Sequence, residues 1–372
     1  MRTPSQTDSD RLFTVPSDHM SAGRKNAGRA VIALASLLLL AVLAAQIIDV
    51  RGAVDFGLTT WRPLLYAYLI WGVALAASQV MIRGEKGQRT LFVLPAVLFT
   101  VSMVVFPLIF GLYISFTDWN LSSLTGRKFN GLDNLRQMLG DPFYWNALGN
   151  MVLYVAAVLV EYAMAFGLAL LLNAEIRGRK FFRVVFLLPL MLSPVAVSWM
   201  VGKSMMEIRF GPLANLARLL GWDTPAFFST PAIAKLSIMV MDAWTFIPFM
   251  MIMLLAGLQA LPKDILEAAK VDGATAWQSF WKVVFPLMLP ISITAVVIRI
   301  IFKLKLADII INVTAGGPGG ATDSVTSFIF REYRDRSNVG YGTMLAMVYL
   351  VLIVIAVTLC LNLATRRVRD VN

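Results

Sequence analysis

The chain is organised around one charged stretch between two apolar segments, residues 261–290, which reads LPKDILEAAKVDGATAWQSFWKVVFPLMLP. Six charged side chains exclude its first part from hydrocarbon and place it at a membrane surface. They are Lys263, Asp264, Glu267, Lys270, Asp272 and Lys282. Pro262 favours a helix start, because a proline in the first turn loses no hydrogen bond, and Gly273 permits an exit with positive φ. The stretch therefore predicts a short surface helix over 264–270.

This predicted helix has an apolar face built largely from small residues. Asp264 and Glu267 lie near the positive end of its dipole, which favours them there. A face of small side chains lets another backbone approach closely. Its members are Ile265, Leu266, Ala268 and Ala269.

The same residues carry a resemblance to a known family. Glu-Ala-Ala at 267–269, then Gly273 and Pro286, resembles the EAA loop of binding-protein-dependent ABC importer permeases. Val283 and Phe285 depart from the pattern, since the family usually has Ile and Leu there. The resemblance implies a cytoplasmic coupling helix, within a coupling segment at about 261–283, that docks in a cleft of an ATPase subunit. The alternative is an ordinary amphipathic helix at the membrane interface. The implied coupling residues are Glu267, Ala268, Ala269, Asp272 and Gly273.

Composition indicates a polytopic membrane protein. The 372 residues are 58% hydrophobic and 15% charged, with a mean hydropathy of +0.72, which is far more apolar than a soluble domain. The net charge of +11 does not indicate nucleic-acid binding, because the basic residues punctuate the apolar runs instead of sharing one face. One cysteine, Cys360, and one histidine, His19, predict neither a metal site nor a catalytic cluster.

Eight apolar segments are long enough to cross a bilayer, which takes about 20 residues each. Helices are expected, because open strands leave backbone groups unpaired in lipid. Residues 1–28 are polar and predict a disordered tail. The run 30–48 is similar to a signal peptide, but an uncleaved span is favoured because more membrane segments follow. The predicted spans are 29–49, 62–82, 91–116, 146–173, 183–203, 231–258, 284–306 and 342–364.

The distribution of lysine and arginine predicts the orientation. With the tail inside, the inner segments hold 18 of these residues and the outer segments 10. The positive-inside rule therefore places both termini and the coupling segment in the cytoplasm. That orientation agrees independently with the role implied for the coupling segment.

Beyond the coupling segment, residues 90–365 resemble the carbohydrate (maltose-type) branch of the same permease family. The resemblance includes Arg183 with Leu-Pro at 188–189, Trp244 with Pro248, Leu-Ala-Gly-Leu at 255–258 and Thr-Ala-Gly-Gly-Pro at 314–318. It implies an all-α type I importer permease with a six-helix core. Residues 29–82 are then two extra N-terminal helices, and the cargo is a sugar or sugar derivative.

The resemblance also implies the partners. One coupling segment serves one ATPase subunit, so a second, related permease chain is expected, together with a pair of ATPases and an extracytoplasmic solute-binding protein. The chain contains no Walker A pattern, so the separate ATPase is expected to bind ATP and Mg²⁺ and this chain is not expected to be an enzyme. The Gly-rich run at 316–320 has no following Lys-Ser/Thr and predicts a tight turn.

Charged residues inside the predicted spans are costly and mark either internal ion pairs or a substrate path. Arg299 and Lys303 are four apart on one helical face and need a counter-charge, which Glu161, Asp242 or Asp308 could supply. One interpretation is that ion pairs lock the bundle. The other is a cationic patch on the path, favouring an anionic cargo, with tryptophans stacking on sugar rings. The path candidates are Glu161, Trp199, Asp242, Trp244, Arg299 and Lys303.

Two other classes of protein are alternatives to an importer permease. A secondary transporter or channel without an ATPase would show inverted repeats and paired broken helices, which the sequence does not reveal. A membrane enzyme needs a His, Asp or Cys cluster at one face, which one His and one Cys make improbable. Prolines within or at the ends of spans are expected to kink them. They stand at 95, 107, 189, 194, 248, 286 and 290.

Overall fold

A computed structural model describes residues 21–50, 56, 58, 60–124 and 127–369 of the chain. The chain divides into two compact units between Phe110 and Gly111. Most of the tail predicted over 1–28 lies outside the described residues. Its last part differs from the prediction, because the first helix already begins at Ala22.

The first unit contains three long helices and the start of a fourth. The first helix extends further towards the N-terminus than hydropathy predicts. In this extension Gly28 packs closely on the second helix, because a Cβ added to it would lie 3.0 Å from Met81 Cβ. Trp71 Nε1 donates a hydrogen bond to Ser36 Oγ at 3.0 Å between the same two helices. The helices are α1 (Ala22–Val50), α2 (Arg62–Arg83), α3 (Glu85–Thr100), a π-helical turn (Val101–Val105) and α4 (Phe106–Ser115).

The second unit is helical over most of its described length and holds every predicted site residue. Its helices are α5 (Asp133–Gly140), α6 (Pro142–Asn173), α7 (Arg179–Leu187), α8 (Pro194–Val197), α9 (Pro212–Leu219), α10 (Pro231–Ala260), α11 (Lys263–Val271), α12 (Ala276–Ser279), α13 (Phe285–Lys303), α14 (Asp308–Val313), α15 (Val325–Arg334) and α16 (Val339–Arg369). A 3₁₀ turn (Leu188–Met191) follows α7. Two π-helical segments, Ser198–Met205 and Phe280–Val284, continue α8 and α12.

Seven helices in the described part of the chain are long and apolar enough to cross a membrane, and each overlaps a predicted span. Their bounds are Ala22–Asp49, Arg62–Arg83, Glu85–Ser115, Pro142–Asn173, Pro231–Ala260, Ala276–Lys303 and Val339–Asn362. The span near 284 therefore starts earlier than predicted. Thr275 initiates it with a capping box, accepting a hydrogen bond from the Gln278 amide.

The predicted fifth span, 183–203, is bent near its prolines, and the bend is sharper than a kink. Two helical halves, Arg179–Met191 and Pro194–Met205, meet at an angle of 96°. Pro194 cannot donate a hydrogen bond to the preceding turn, and the Ser193 hydroxyl instead accepts one from the Ala196 amide at 3.2 Å, which starts a new helix. Hydropathy detects the apolar run but not this break.

Prolines inside the remaining spans have two different effects. Pro107 and Pro286 each closely follow a π-helical turn, where the wider backbone accommodates the missing hydrogen bond. Pro95, Pro248 and Pro290 are incorporated in continuous α-helix.

The core of the second unit forms where α6, α10 and α13 pack together. Small residues permit close approach of these helices, as expected inside a membrane. Ala165 and Ala169 on α6 are fully buried. A Cβ added to Gly257 on α10 would lie 2.7 Å from Ile291 Cδ1 on α13. The three helices therefore hold a fixed spacing, which positions the side chains described next.

Candidate functional site

Four charged side chains meet in the interior of the second unit and form what we call the charge cluster: Glu161, Asp242, Arg299 and Lys303. The two cations lie one helical turn apart on α13, while α6 supplies Glu161 and α10 supplies Asp242. All four residues are at most 2% exposed. The cluster therefore joins the three helices of the core at one point.

Each cation contacts both carboxylates. Arg299 Nε donates to Glu161 Oε2 at 2.7 Å, and Lys303 Nζ donates to Glu161 Oε1 at 2.7 Å. Asp242 Oδ2 accepts from Arg299 Nη2 and from Lys303 Nζ. Of the three counter-charges considered in the sequence, the structure thus brings Glu161 and Asp242 to the cations, whereas Asp308 is exposed at the start of α14.

Two positive and two negative charges leave the cluster without net charge. The Arg299 guanidinium also lies over the Phe246 ring, with its carbon 4.5 Å from the ring centroid. Its Nη1 atom is buried without a hydrogen-bond partner within the described part of the molecule. Apart from this one atom, each charged group contacts groups of opposite charge, as a low-dielectric interior requires of buried charges. This geometry favours the interpretation as an internal lock, and the role of these residues in a substrate path stays a prediction.

The two tryptophans proposed for the path lie apart from this arrangement. Trp244 follows Asp242 by two residues, which turns it to another side of α10, and it is 41% exposed. Trp199 belongs to the second half of the broken span, is 57% exposed, and has Lys203 Nζ 5.4 Å from its ring centroid. Lys203 also borders a pocket of about 330 Å³ with Glu207 and Phe227.

The charge cluster is connected through the end of α13 to the segment that follows it. The carbonyl of Leu304, next to Lys303, accepts hydrogen bonds from Thr326 Oγ1 at 3.1 Å and Tyr349 Oη at 2.8 Å. Ser324 Oγ donates to the carbonyl of Leu306. The C-terminal end of α13 is therefore fixed by α15 and α16.

On α6, a polar stripe holds the segment 320–323, and sequence analysis missed it. Asn146 Nδ2 donates to Gly320 O at 2.8 Å, Asn150 Nδ2 to Ala321 O at 2.7 Å, and Tyr154 Oη to Thr322 O at 2.8 Å. The spacing of four residues puts all three on one face of α6, roughly in line with Glu161. The sequence signal for this stripe was the recurrence of polar residues every four positions in an otherwise apolar helix.

The same segment contains a second buried ion pair. Asp323 is 1% exposed, and its carboxylate accepts hydrogen bonds from Ser327 Oγ at 2.9 Å and from Arg331 Nη2. Burial raises the pKa of the Asp323 carboxyl, and the neighbouring Arg331 and Ser327 partly offset that rise. Gly316, Gly319 and Gly320 in this turn have positive φ, as a tight turn requires.

The coupling segment adopts the predicted surface helix with a defined exit. Pro262 occupies the N-cap position of α11 without a side-chain hydrogen bond. The helix ends in a Schellman motif: the Ala274 amide donates to Ala269 O at 3.0 Å and the Gly273 amide to Lys270 O at 3.1 Å. Gly273 has φ of +75°, and no atom lies within 4 Å of an added Cβ. Its requirement for glycine is therefore conformational.

The face predicted to be apolar is divided in the structure. Ala269 is buried and Leu266 is half-buried, so these two turn towards the rest of the chain. Ile265 is 42% exposed, and Ala268 and Glu267 are exposed as well. The reason is the helical period, since residues three apart share a face whereas neighbours do not. Asp272 occupies the C-cap position of α11 and is exposed.

No group of three or more His, Cys, Asp or Glu side chains that could hold a metal ion occurs among the residues that the structure describes. The seven long apolar helices and the broken span define a polytopic helical membrane protein with a charged helix at one membrane face.

Comparison with known proteins identifies the family. The profile of the "Binding-protein-dependent transport system inner membrane component" family matches residues 163–370. The chain belongs to this family, and it is a multi-pass component of the inner membrane.

Two relatives and one solved structure are similar to this chain. The trehalose/maltose transport system permease protein MalF of Thermococcus litoralis is 31% identical over 71% of this chain and 88% of that protein. The sulfoquinovosyl glycerol transport system permease protein SmoG of Agrobacterium fabrum is 31% identical over 71% of this chain and 86% of its own length. A chain of a bacterial alginate ABC transporter shares the fold, with a TM-score of 0.65 at 20% identity over 83% of this chain and 98% of that chain.

Proposed function

We propose that this chain forms part of the translocation path of an ATP-driven importer for a sugar or sugar derivative, and that α11 couples the path to a cytoplasmic ATPase. The observation that supports coupling is an exposed, charged helix held rigidly between two long spans, α10 and the helix that ends in α13. The two hydrogen bonds at its exit support a helix that moves as one piece instead of a flexible loop.

The outward surface of α11 fits a protein contact. Asp264, Glu267 and Lys270 are exposed and form no ion pair with any residue in the described ranges. Val271 is 87% exposed although it is apolar. Charged groups around an exposed apolar side chain suit the rim and centre of an interface. In the proposed mechanism, closure of the ATPase pair pushes this surface, and the broken span and the core helices change the side to which the path opens.

The proposed assembly follows from the single coupling segment. A second, related permease chain supplies the other coupling segment. Two ATPase subunits bind ATP and Mg²⁺, and a solute-binding protein delivers the sugar from outside. The distribution of Lys and Arg supports a cytoplasmic position for both termini. ATP hydrolysis belongs to the ATPase subunits in this scheme.

The cargo proposed first is a neutral sugar, because the charge cluster carries no excess positive charge. An acidic sugar derivative is the second candidate, since the relative from Agrobacterium is named for sulfoquinovosyl glycerol, a sulfonated glycoside. Trehalose or maltose and a sulfonated glycoside are therefore the first cargoes to compare.

Reconstitution tests the proposal. Vesicles that contain both permease chains and the ATPase are expected to accumulate labelled sugar when the loaded binding protein is outside and ATP is inside. Vesicles that contain this chain alone are expected to show none. ATP-independent uptake by the lone chain would contradict the proposal and support a secondary transporter or channel.

A further inference from the structure

We infer that α7, together with Arg177 just before it, binds the headgroup of an anionic phospholipid. The site, which we call the basic surface, consists of Arg177, Lys180, Phe181, Phe182 and Val184. Within it, Arg177 and Lys180 are exposed, and neither forms an ion pair or hydrogen bond with another side chain of the described residues. The inference rests on the proposed passage of α10 through the membrane, and not on the coupling role of α11.

Contacts of Arg179 and Arg183 with α10 fix the depth of this surface. With the Gln259 amide oriented so that its oxygen faces α7, that oxygen accepts from Arg179 Nη2 at 2.5 Å and from Arg183 Nη2 at 3.2 Å. Gln259 is the penultimate residue of the span Pro231–Ala260. The start of α7 therefore lies at the level where α10 leaves the membrane, which is the depth of lipid headgroups.

The two pairs of basic residues on this segment have different surroundings. Arg179 and Arg183 are half-buried and their Nη2 atoms face Gln259, so their position is explained by contacts within the chain. Arg177 and Lys180 have no such explanation. The positive-inside rule accounts for positive charge at the inner membrane surface, but it does not account for exposed aromatic side chains on the same helix.

The same helix carries three exposed apolar side chains, of which Val184 lies one turn from Lys180 on the same face. Phe181 is 67% exposed, Phe182 is 42% exposed and Val184 is 61% exposed. A helix that combines basic residues with exposed aromatic and aliphatic side chains suits the boundary between headgroups and acyl chains. The 96° bend after this helix separates its direction from that of the second half of the broken span. A lipid with a phosphate and acyl chains satisfies both parts of the surface, whereas free phosphate satisfies one.

The test uses the complete transporter purified in detergent and titrated with phosphatidylglycerol, with the bound lipid counted by native mass spectrometry. In the double variant Arg177→Gln/Lys180→Gln, the apparent dissociation constant of the tightest phosphatidylglycerol is expected to rise about thirtyfold, as for the loss of two basic residues near an anionic surface. Phe181→Ser keeps the charge and is expected to weaken binding by a smaller factor. Phosphatidylcholine is expected to show no difference between wild type and variants.

The matched control is Lys86→Gln/Arg89→Gln, which removes the same charge from two exposed residues of another predicted inner segment. This control variant is expected to have the wild-type dissociation constant for the tightest phosphatidylglycerol. Equal affinity of wild type and the Arg177/Lys180 variant, or an equal loss in both double variants, would overturn the inference. So would competition by millimolar inorganic phosphate, or loss of the ATPase with unchanged lipid affinity, which would make the surface a protein contact. If the double variant fails to assemble, Lys180→Gln alone gives the same comparison.

Discussion

Replacing Lys303 by methionine is expected to lower the free energy of unfolding of the second unit by about 3–5 kcal/mol, because it leaves two buried carboxylates facing one guanidinium. The hydrocarbon stem is largely kept, so lost packing contributes little. Unfolding of the purified chain in detergent, followed by tryptophan fluorescence against denaturant, measures the change. Lys305→Met is the matched control, since Lys305 is exposed two residues further along, and its effect is expected within about 0.5 kcal/mol.

A second variant distinguishes the effect of removing one charge from the effect of leaving opposite charges unequal in number. Asp242→Leu/Lys303→Met removes one charge of each sign and leaves the pair of Arg299 with Glu161. It is expected to be more stable than Lys303→Met alone, because no charge is then left without a partner. A double variant that is less stable than either single one would contradict the lock. A Lys303→Met chain of wild-type stability that loses uptake of an acidic sugar would instead support the cationic path.

Gly273→Pro is expected to reduce ATP-driven uptake more than tenfold while the bundle stays folded. Proline holds φ near −65°, whereas Gly273 has φ of +75°, and its amide donates to Lys270 O. The exit from α11 must therefore change direction, and the helix can no longer present its outer surface at the same angle. Uptake and ATP hydrolysis are measured in the same reconstituted vesicles, so that lost coupling is distinguished from lost assembly.

Gly273→Asn provides the control for this position. Asparagine adopts positive φ more readily than other side chains and keeps the amide donor. No atom lies within 4 Å of an added Cβ, so the extra side chain meets no obstacle within the described part of the chain. Uptake is expected within about twofold of wild type. Equal uptake by the proline variant would show that the geometry of this exit does not matter for transport.

The spans and the surface helix were predictable because each depends on local sequence. A bilayer needs a fixed length of apolar helix, and the cap and the glycine exit of α11 act over a few residues. The break in the fifth span was harder to predict from the sequence. Its two prolines are visible, but the choice between a kink and a 96° bend depends on packing against α10, which a single sequence does not show.

The charge cluster illustrates the same limit at the level of one site. Its cations were recognisable from their spacing on α13, and the need for a counter-charge followed from the cost of burying them. The sequence could not show which acidic residues pair with these cations, because Glu161 and Asp242 are separated from Arg299 by 138 and 57 residues. The hydrogen bonds of Asn150 and Tyr154 were missed for the same reason, since their partners are backbone carbonyls 168–173 residues away.

Site-specific crosslinking tests the coupling role of α11 most directly. The chain has one cysteine, so Cys360→Ser gives a cysteine-free background in which Glu267→Cys places a single thiol on the outer surface of the helix. A short thiol-to-amine crosslinker is expected to join this position to an ATPase subunit in the assembled transporter, and Lys86→Cys, on another predicted inner segment, is expected to give little product. Equal, weak crosslinking from both positions in an active complex would contradict the account.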